Sequence, residues 1–194
     1  MPVKNDREYR AAQPFEARDE EMIVEGYAST FEPYVLWHEG DVEVREQIDP
    51  HAFDNADMTD VIMQYDHEGR VYARQSNGTL ELSVDDHGLK VRADLSKTAG
   101  SRQLYEDIKS GMITQMSFAF TIAEDDYDQK QHLRSIRSVR RVYDVSAVSI
   151  PANPGTEIAA RSYFDGVIEA ERAERLAAEE HDRKVKELRL RLSL

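Results

Sequence analysis

The sequence predicts a mainly β domain with helices, an α+β chain whose strands, about seven in number, form a closed or nearly closed β-barrel. Short segments in which apolar and polar residues alternate recur from residue 21 to residue 150. One segment among them has a helical period instead. Closure into a barrel is predicted because it removes the exposed strand edges that a sheet of this size otherwise presents to solvent.

Each predicted strand is rich in β-branched and aromatic residues and is bounded by polar or turn-forming residues. The strand-like segments cover residues 21–31, 41–48, 60–67, 79–84, 89–95, 114–122 and 132–150. The sequence DDHG at residues 85–88 predicts a hairpin turn between two of them. Pro151 and Pro154 end the last strand, because proline cannot donate to a sheet ladder.

A short helix is predicted over about residues 101–110. Leu104, Ile108 and Met112 are spaced four apart, as on one face of a helix. Ser101 or Thr98 is the candidate N-cap, and Gly111 is the stop signal.

Three regions are distinguished by composition. Residues 1–21 are polar and irregular, and we expect a mobile leader with little fixed structure. Residues 22–161 form the predicted barrel domain. Residues 162–194 are rich in charged helix-forming residues and predict a charged helical C-terminal extension. That helix is either a solvated one with ion pairs along its surface or a docking or dimerising element.

Charge and composition exclude several classes of protein. The net charge of −13 repels phosphate backbones, so no nucleic-acid partner is expected. No apolar run approaches the roughly 18–20 residues that span a bilayer, and the first residues lack the apolar stretch of a secretory signal. The absence of cysteine excludes disulfides and thiolate metal sites and fits a reducing compartment, so we expect a cytoplasmic protein.

Ser117 is a candidate nucleophile because it places a hydroxyl within the apolar run GMITQMSFAFTI. Strand alternation puts Met116, Phe118 and Phe120 on one face and Gln115, Ser117 and Ala119 on the other. The residues alone leave a second interpretation open, in which Ser117 is an ordinary serine on the barrel surface.

His67 is the candidate general base among the six histidines. It ends the apolar strand VIMQYDH, so a rigid element would hold the ring while leaving it within reach of solvent. A histidine at a strand exit can equally serve only to hydrogen-bond a turn. Zinc ligation by His38, His51 and His67 with Asp66 is a further alternative, although no tight ligand spacing supports it.

Asp144 is the candidate third member, because it places a carboxylate in an otherwise apolar strand, RVYDVSAVSI. Burying a lone carboxylate costs several kcal/mol unless it has a partner. That partner is either an imidazole N–H or a cation such as Arg140 or Arg141. Asp66 and Glu68 are rivals for the same role because they flank His67, although adjacent residues on a strand point to opposite faces.

Taken in order, several segments resemble the prohead (capsid maturation) proteases of tailed bacteriophages. The segments are GYASTFEP, QIDPHAF, VIMQYDHEGR, DDHGLKVRADL, SGMITQMSFAF and YDVSAVSIPANPGTEI, and the resemblance covers about residues 25–160. The resemblance implies a serine endopeptidase with the barrel fold of the herpesvirus assemblins and with no cofactor. Ser117 would be the nucleophile, His67 the general base and Asp144 the residue that orients His67.

The resemblance also implies partners and a place of action. The substrates would be the major capsid protein and the scaffold protein or a delta-type extension, cleaved within the procapsid in the host cytoplasm, and the enzyme would be a homodimer. If the chain cleaves itself, residues 159–161 or 176–178 are the candidate sites; alternatively, the tail targets the enzyme to the scaffold by helix packing. The oxyanion donors are expected in the segment SIPANPG or near Arg140 and Arg141. The alternative function is a capsid-associated structural or scaffold-like barrel that has lost catalysis.

Overall fold

The computed structural model describes residues 7–14, 16–18, 21–39 and 42–149, and short stretches of the C-terminal segment at 173–174, 176–178, 180–181 and 183–186. The chain divides into two compact units, residues 1–157 and residues 158–194. The described residues of the second unit are helical and mostly exposed, and Lys184 and Glu180 form an ion pair there, at 2.9 Å.

The first unit confirms the prediction of a mainly β protein with helices. Its described residues form eleven strands and one α-helix, with a short 3₁₀ turn at Gln75–Asn77. The strands are β1 Glu8–Pro14, β2 Glu16–Arg18, β3 Ile23–Thr30, β4 Tyr34–Glu39, β5 Val42–Ile48, β6 Ile62–Tyr65, β7 Glu68–Arg74, β8 Leu80–Val84, β9 Gly88–Asp94, β10 Gln115–Asp128 and β11 Leu133–Val148, and the helix is α1 Ala99–Lys109.

The predicted closed barrel is wrong: the described strands form two open sheets. The larger sheet has seven strands in the order β1-β10-β11-β5-β4, with β6 added to β11 and β7 added to β6. The smaller sheet has four strands in the order β2-β3-β9-β8. The long strand β11 pairs in parallel with β5 along its first residues and with β6 along its last, so the larger sheet divides into two branches instead of curling closed.

Two packed sheets bury their apolar faces without closure, which is why a barrel is not required. The common core is formed by buried side chains of both sheets, among them Val24, Ala28, Val91, Ala93, Met116, Phe118 and Val145. The seven predicted segments correspond to β3, β5, β6, β8, β9, β10 and β11, whereas β1, β2, β4 and β7 were not predicted. Alternation specifies only that one face of a strand is buried, and a second sheet satisfies it as well as a barrel interior does.

Helix α1 confirms the predicted helix with a shift of two residues at its start. The Thr98 side chain accepts a hydrogen bond from the Ser101 N–H at 3.0 Å and is the N-cap. Leu104, Tyr105 and Ile108 are buried against the core. Gly111 has a φ of +76°, the left-handed conformation that glycine adopts readily after a helix end.

The segment 1–21, predicted to lack fixed structure, contributes β1 and β2. β1 pairs antiparallel with β10 and is tied to the sheet by a buried ion network, in which Arg10 contacts Glu8 and Glu46, and Arg134 contacts the same two carboxylates. All four side chains are nearly or fully buried. The charged residues of β1 are paired with residues 36 and 126 positions away in the sequence. Local sequence does not show such partners, and this is why the segment was wrongly predicted to be a mobile leader.

Candidate active site

Ser117 lies in the middle of the larger sheet, in β10 between β1 and β11. The ladder places it opposite Ala11 of β1 and Ser146 of β11, and its neighbour Ala119 lies opposite Asp144. Because paired residues in a ladder project to the same face, Ser117, Ser146 and Asp144 share one face of the sheet. Ser117 is 0% exposed, so it is not an ordinary surface serine.

His67 lies in the tight turn between β6 and β7, not at the end of a strand. The strand ends at Tyr65, which pairs with Glu68, so Asp66 and His67 form a two-residue hairpin turn. Their φ angles are +48° and +59°, as a turn of the primed type requires. The left-handed conformation costs a non-glycine residue about 1–2 kcal/mol. Aspartate and histidine are among the residue types found there more often than others.

A clamp on β11 holds this turn in place. The Asp66 carboxylate accepts hydrogen bonds from the Ser149 N–H and the Ser149 hydroxyl, each at 3.0 Å. The Asp66 N–H donates to the carbonyl of Ala147 at 2.9 Å. The same β11 segment carries Asp144, so the clamp fixes His67 relative to that carboxylate.

His67 bridges Ser117 and Asp144. Its Nε2 lies 2.8 Å from Ser117 Oγ, and its Nδ1 lies 2.6 Å from Asp144 Oδ1. An ionised carboxylate can only accept, so Nδ1 carries the proton and Nε2 is left to accept from the serine hydroxyl. The His67 side chain is 15% exposed, and the Tyr9 ring meets its ring edge-on with 4.6 Å between centroids. The arrangement can move a proton from Ser117 Oγ onto His67.

The structure places the rival residues elsewhere. Asp66 is bonded to Ser149, and Glu68 is exposed on β7. Arg141, the alternative partner for Asp144, forms an ion pair with Asp57 at 3.3 Å and lies over the ring of Tyr143.

Of the predicted oxyanion segment SIPANPG, only Ser149 belongs to the described residues, and the predicted cleavage site at 159–161 also lies outside them. Residues 176–178, the other predicted cleavage site, are described as helical and exposed.

The histidines proposed as alternative zinc ligands do not gather with His67. His51 contacts Asp54 at 3.2 Å on the surface. Within the described part of the chain, no three histidine, aspartate or glutamate residues are grouped so that they could hold a metal ion.

Sequence reasoning missed two contributors to the site, of which alternation could have revealed only the first. Ser146 donates a hydrogen bond to Asp144 at 2.9 Å, and it lies two residues further along the same strand, hence on the same face. Tyr9 lies in the segment that composition assigned to a mobile leader. Its contact with His67 depends on the long-range pairing of β1 with β10, which local sequence does not encode.

We expect Asp66→Ala to lower kcat/KM by about ten- to a hundredfold, because it removes the clamp and leaves alanine in a left-handed conformation, so that the His67 ring is displaced. Asp66→Asn is the matched control, since asparagine tolerates this conformation and keeps a side-chain acceptor for Ser149. Steady-state kinetics of both variants would check this, and wild-type kcat/KM in Asp66→Ala would show that the clamp does not position His67.

The profile of the caudovirus prohead serine protease family matches residues 8–167, which is most of the chain. The chain belongs to this family. It is 30% identical over 149 residues to the prohead protease of Enterobacteria phage HK97, an alignment that covers 75% of this chain and 62% of that protein. The chain thus spans less than two thirds of the length of this relative.

The family match begins at residue 8, the first residue of β1, so the strand that the composition assigned to a leader is part of the family domain. No solved structure matches the chain. The relation to the herpesvirus assemblins therefore stays a prediction. Among the described residues, no helix is both long enough and apolar enough to cross a membrane.

Proposed function

We propose that this chain is a prohead maturation serine endopeptidase in which Ser117 is the nucleophile, His67 the general base and Asp144 the residue that orients His67. The observation that carries the proposal is the pair of contacts made by the His67 ring, 2.8 Å to Ser117 Oγ and 2.6 Å to Asp144 Oδ1. These three residues come from separate strands and turns, 50 and 77 positions apart, in a chain of the prohead serine protease family.

The proposed reaction follows from these contacts. His67 Nε2 takes the proton from Ser117 as Oγ attacks the scissile carbonyl carbon, and the carbonyl oxygen becomes an oxyanion. The C–N bond then breaks, and Nε2 returns the proton to the leaving amine. Water, activated by the same nitrogen, hydrolyses the ester on Ser117. Asp144 keeps the proton on Nδ1 and stabilises the positive charge that His67 gains at each step.

The substrates that we propose are extensions of the major capsid protein and of the scaffold, cleaved inside the assembling procapsid in the host cytoplasm, with self-cleavage of the chain. The family description and the name of the HK97 relative support this class of substrate. A homodimer is part of the same proposal, and sedimentation of the purified chain over a range of concentrations tests it directly.

The proposal is tested with wild type, Ser117→Ala and Ser138→Ala. Ser138 is the control because it is a half-buried serine of β11 that pairs with Glu124, away from His67. Each protein is treated with a fluorophosphonate, which modifies activated serines, and is incubated with purified capsid and scaffold proteins from the same phage. Intact-mass spectrometry then records adducts and cleavage products.

We expect one adduct, mapped to Ser117, together with cleavage of the substrates or of the chain itself, in wild type and Ser138→Ala only. Equal labelling and cleavage by Ser117→Ala would exclude Ser117 as the nucleophile. If no form is labelled and none cleaves a substrate, the result favours the catalytically silent structural protein.

A further inference from the structure

A fourth side chain, Ser146, joins the group formed by Ser117, His67 and Asp144. Its hydroxyl donates to Asp144 Oδ1 at 2.9 Å, the oxygen that also receives the Nδ1 proton of His67. Ser146 is 0% exposed, and the β10–β11 ladder places it directly opposite Ser117. Its neighbours Val145 and Ala147 point to the core on the other face of β11.

We propose that Ser146 is a positioning residue, which fixes the rotation of the Asp144 carboxylate and favours its ionised form so that His67 keeps its catalytic tautomer. This inference rests on the proposed function of the other three residues. A carboxylate turns about its last side-chain bond with broad, roughly two-fold preferences. Ser146 and His67 both donate to Oδ1, so the two donors together restrict the position of this oxygen more than His67 does alone.

The Ser146 hydroxyl also affects the charge of Asp144. A hydrogen bond donated to a carboxylate favours the ionised form over the protonated one. Once Asp144 is protonated it no longer serves His67 as a purely accepting partner. Without the Ser146 hydroxyl, protonation of the Asp144–His67 pair therefore competes with catalysis at a higher pH than in wild type. The effect should therefore be seen in the acid limb of the rate profile.

The ionisable groups around Asp144 come from several elements. His67 faces it from the β6–β7 turn, and the Tyr9 ring of β1 packs edge-on against the His67 ring. Arg7 and Arg141 lie over the ring of Tyr143, the residue that precedes Asp144 in β11. Ser146 donates to Asp144 without itself titrating in this pH range, so removing its hydroxyl alters the pair without removing a charge.

A structural role must be separated from a positioning role, because any buried serine loses a hydrogen bond when it becomes alanine. Ser101 is the matched control. It is also 0% exposed, and its hydroxyl donates to the carbonyl of Tyr72 at 2.7 Å, in helix α1 outside the site. Ser101→Ala should lower thermal stability and leave the pH profile unchanged.

The experiment measures the rate of labelling by a fluorophosphonate as a function of pH for wild type, Ser146→Ala, Ser146→Thr, Ser101→Ala and Ser117→Ala. We expect Ser146→Ala to react about ten- to a hundredfold more slowly at neutral pH, as for loss of a hydrogen bond to a charged group. Its acid limb should lie about one pH unit higher. Ser146→Thr keeps the hydroxyl and should restore the position of that limb, even if its melting temperature falls.

A second measurement, the proton resonance of His67 Nδ1, does not depend on the labelling reaction. The Nδ1 proton of His67, held by a carboxylate, gives a proton resonance far downfield of the amide region, which His67→Ala identifies by removing it. In Ser146→Ala this resonance should broaden or disappear at a higher pH than in wild type, while Ser101→Ala should keep it.

The outcomes distinguish failure of the proposed function from failure of the positioning role of Ser146. A wild-type labelling rate in Ser117→Ala would overturn the proposed function. Suppose that Ser117→Ala is inert but Ser146→Ala keeps the wild-type acid limb and the wild-type His67 resonance. That result would overturn only the positioning role. A shift of the limb in Ser101→Ala as large as that in Ser146→Ala would likewise overturn it, because loss of stability alone would then explain the effect.

Discussion

Replacing His67 with alanine is expected to lower kcat/KM by about a millionfold, and replacing Asp144 with asparagine by about ten thousandfold. In the proposed mechanism His67 takes the proton from Ser117, so alanine at this position should leave the hydroxyl unactivated. Asparagine keeps the shape of Asp144, but its amide can also donate to Nδ1, which favours the tautomer with its proton on Nε2. In that tautomer Nε2 cannot accept the serine proton.

The surface of the same chain supplies a matched control. His51 Nδ1 lies 3.2 Å from Asp54 in a histidine–aspartate pair that is 83% exposed at the histidine. His51→Ala should retain wild-type kcat/KM. Because residues that act as a unit are not additive, the double variant His67→Ala/Asp144→Asn should be no slower than His67→Ala. A loss of less than tenfold in His67→Ala would contradict the assignment of His67 as the base.

Replacing Arg10 with alanine is expected to lower the free energy of unfolding by about 3–5 kcal/mol, as for breaking a buried ion pair. Arg10 contacts Glu46 at 2.7 Å and also contacts Glu8, and Glu46 is fully buried. Removing the guanidinium leaves these carboxylates without one of their two arginine partners. Denaturant unfolding of wild type and Arg10→Ala would measure the difference.

The control is Arg137→Ala, which removes an arginine that is 49% exposed and pairs with Asp49 and Asp126. Surface pairs contribute about 0–1 kcal/mol, so this variant should remain close to wild type. If the two variants lost equal stability, the buried network would not be what holds β1 on the sheet.

The same ion network makes the free energy of unfolding depend on pH. Burial acts to raise the pKa of Glu46, but the charges of Arg10 and Arg134 and the hydrogen bonds of Arg10 and Tyr34 outweigh it, so the pKa lies below its ordinary value of 4.5. A carboxyl group whose pKa is lowered by folding contributes stability that is present above 4.5 and is lost as pH falls through the lowered value. The difference between wild type and Arg10→Ala should therefore shrink as the pH is lowered below 4.5.

The positions of most strands and of the helix could be predicted, because they depend on local sequence patterns. Alternation located seven of the eleven described strands, and the four-residue spacing of Leu104 and Ile108 located the helix. Pairing between distant strands was not predictable from the same pattern. The barrel prediction failed because β11 pairs with both β5 and β6, and the leader prediction failed because the charges of β1 find their partners far along the chain.

The candidate site was more accessible to sequence reasoning than the topology was. Ser117 and Asp144 are polar residues within otherwise apolar strands, and a polar group in such a position needs a partner. The structure brings both to His67. The sequence did not reveal that His67 sits in a left-handed turn, because no glycine or asparagine marks that turn, and the clamp that stabilises it comes from Ser149, 83 residues away from Asp66.

The position of β11 late in the chain determines when the candidate site can form during translation. Strand β11 carries Asp144 and Ser146, the clamp residue Ser149 follows it directly, and it is the last strand of the described sheet to be synthesised. A nascent chain on the ribosome that has not yet released β11 holds Ser117 and His67 but lacks the carboxylate and the clamp that would orient the imidazole. On the proposed assignment, we therefore expect the growing chain to be unable to cleave itself or its neighbours until the sheet is complete.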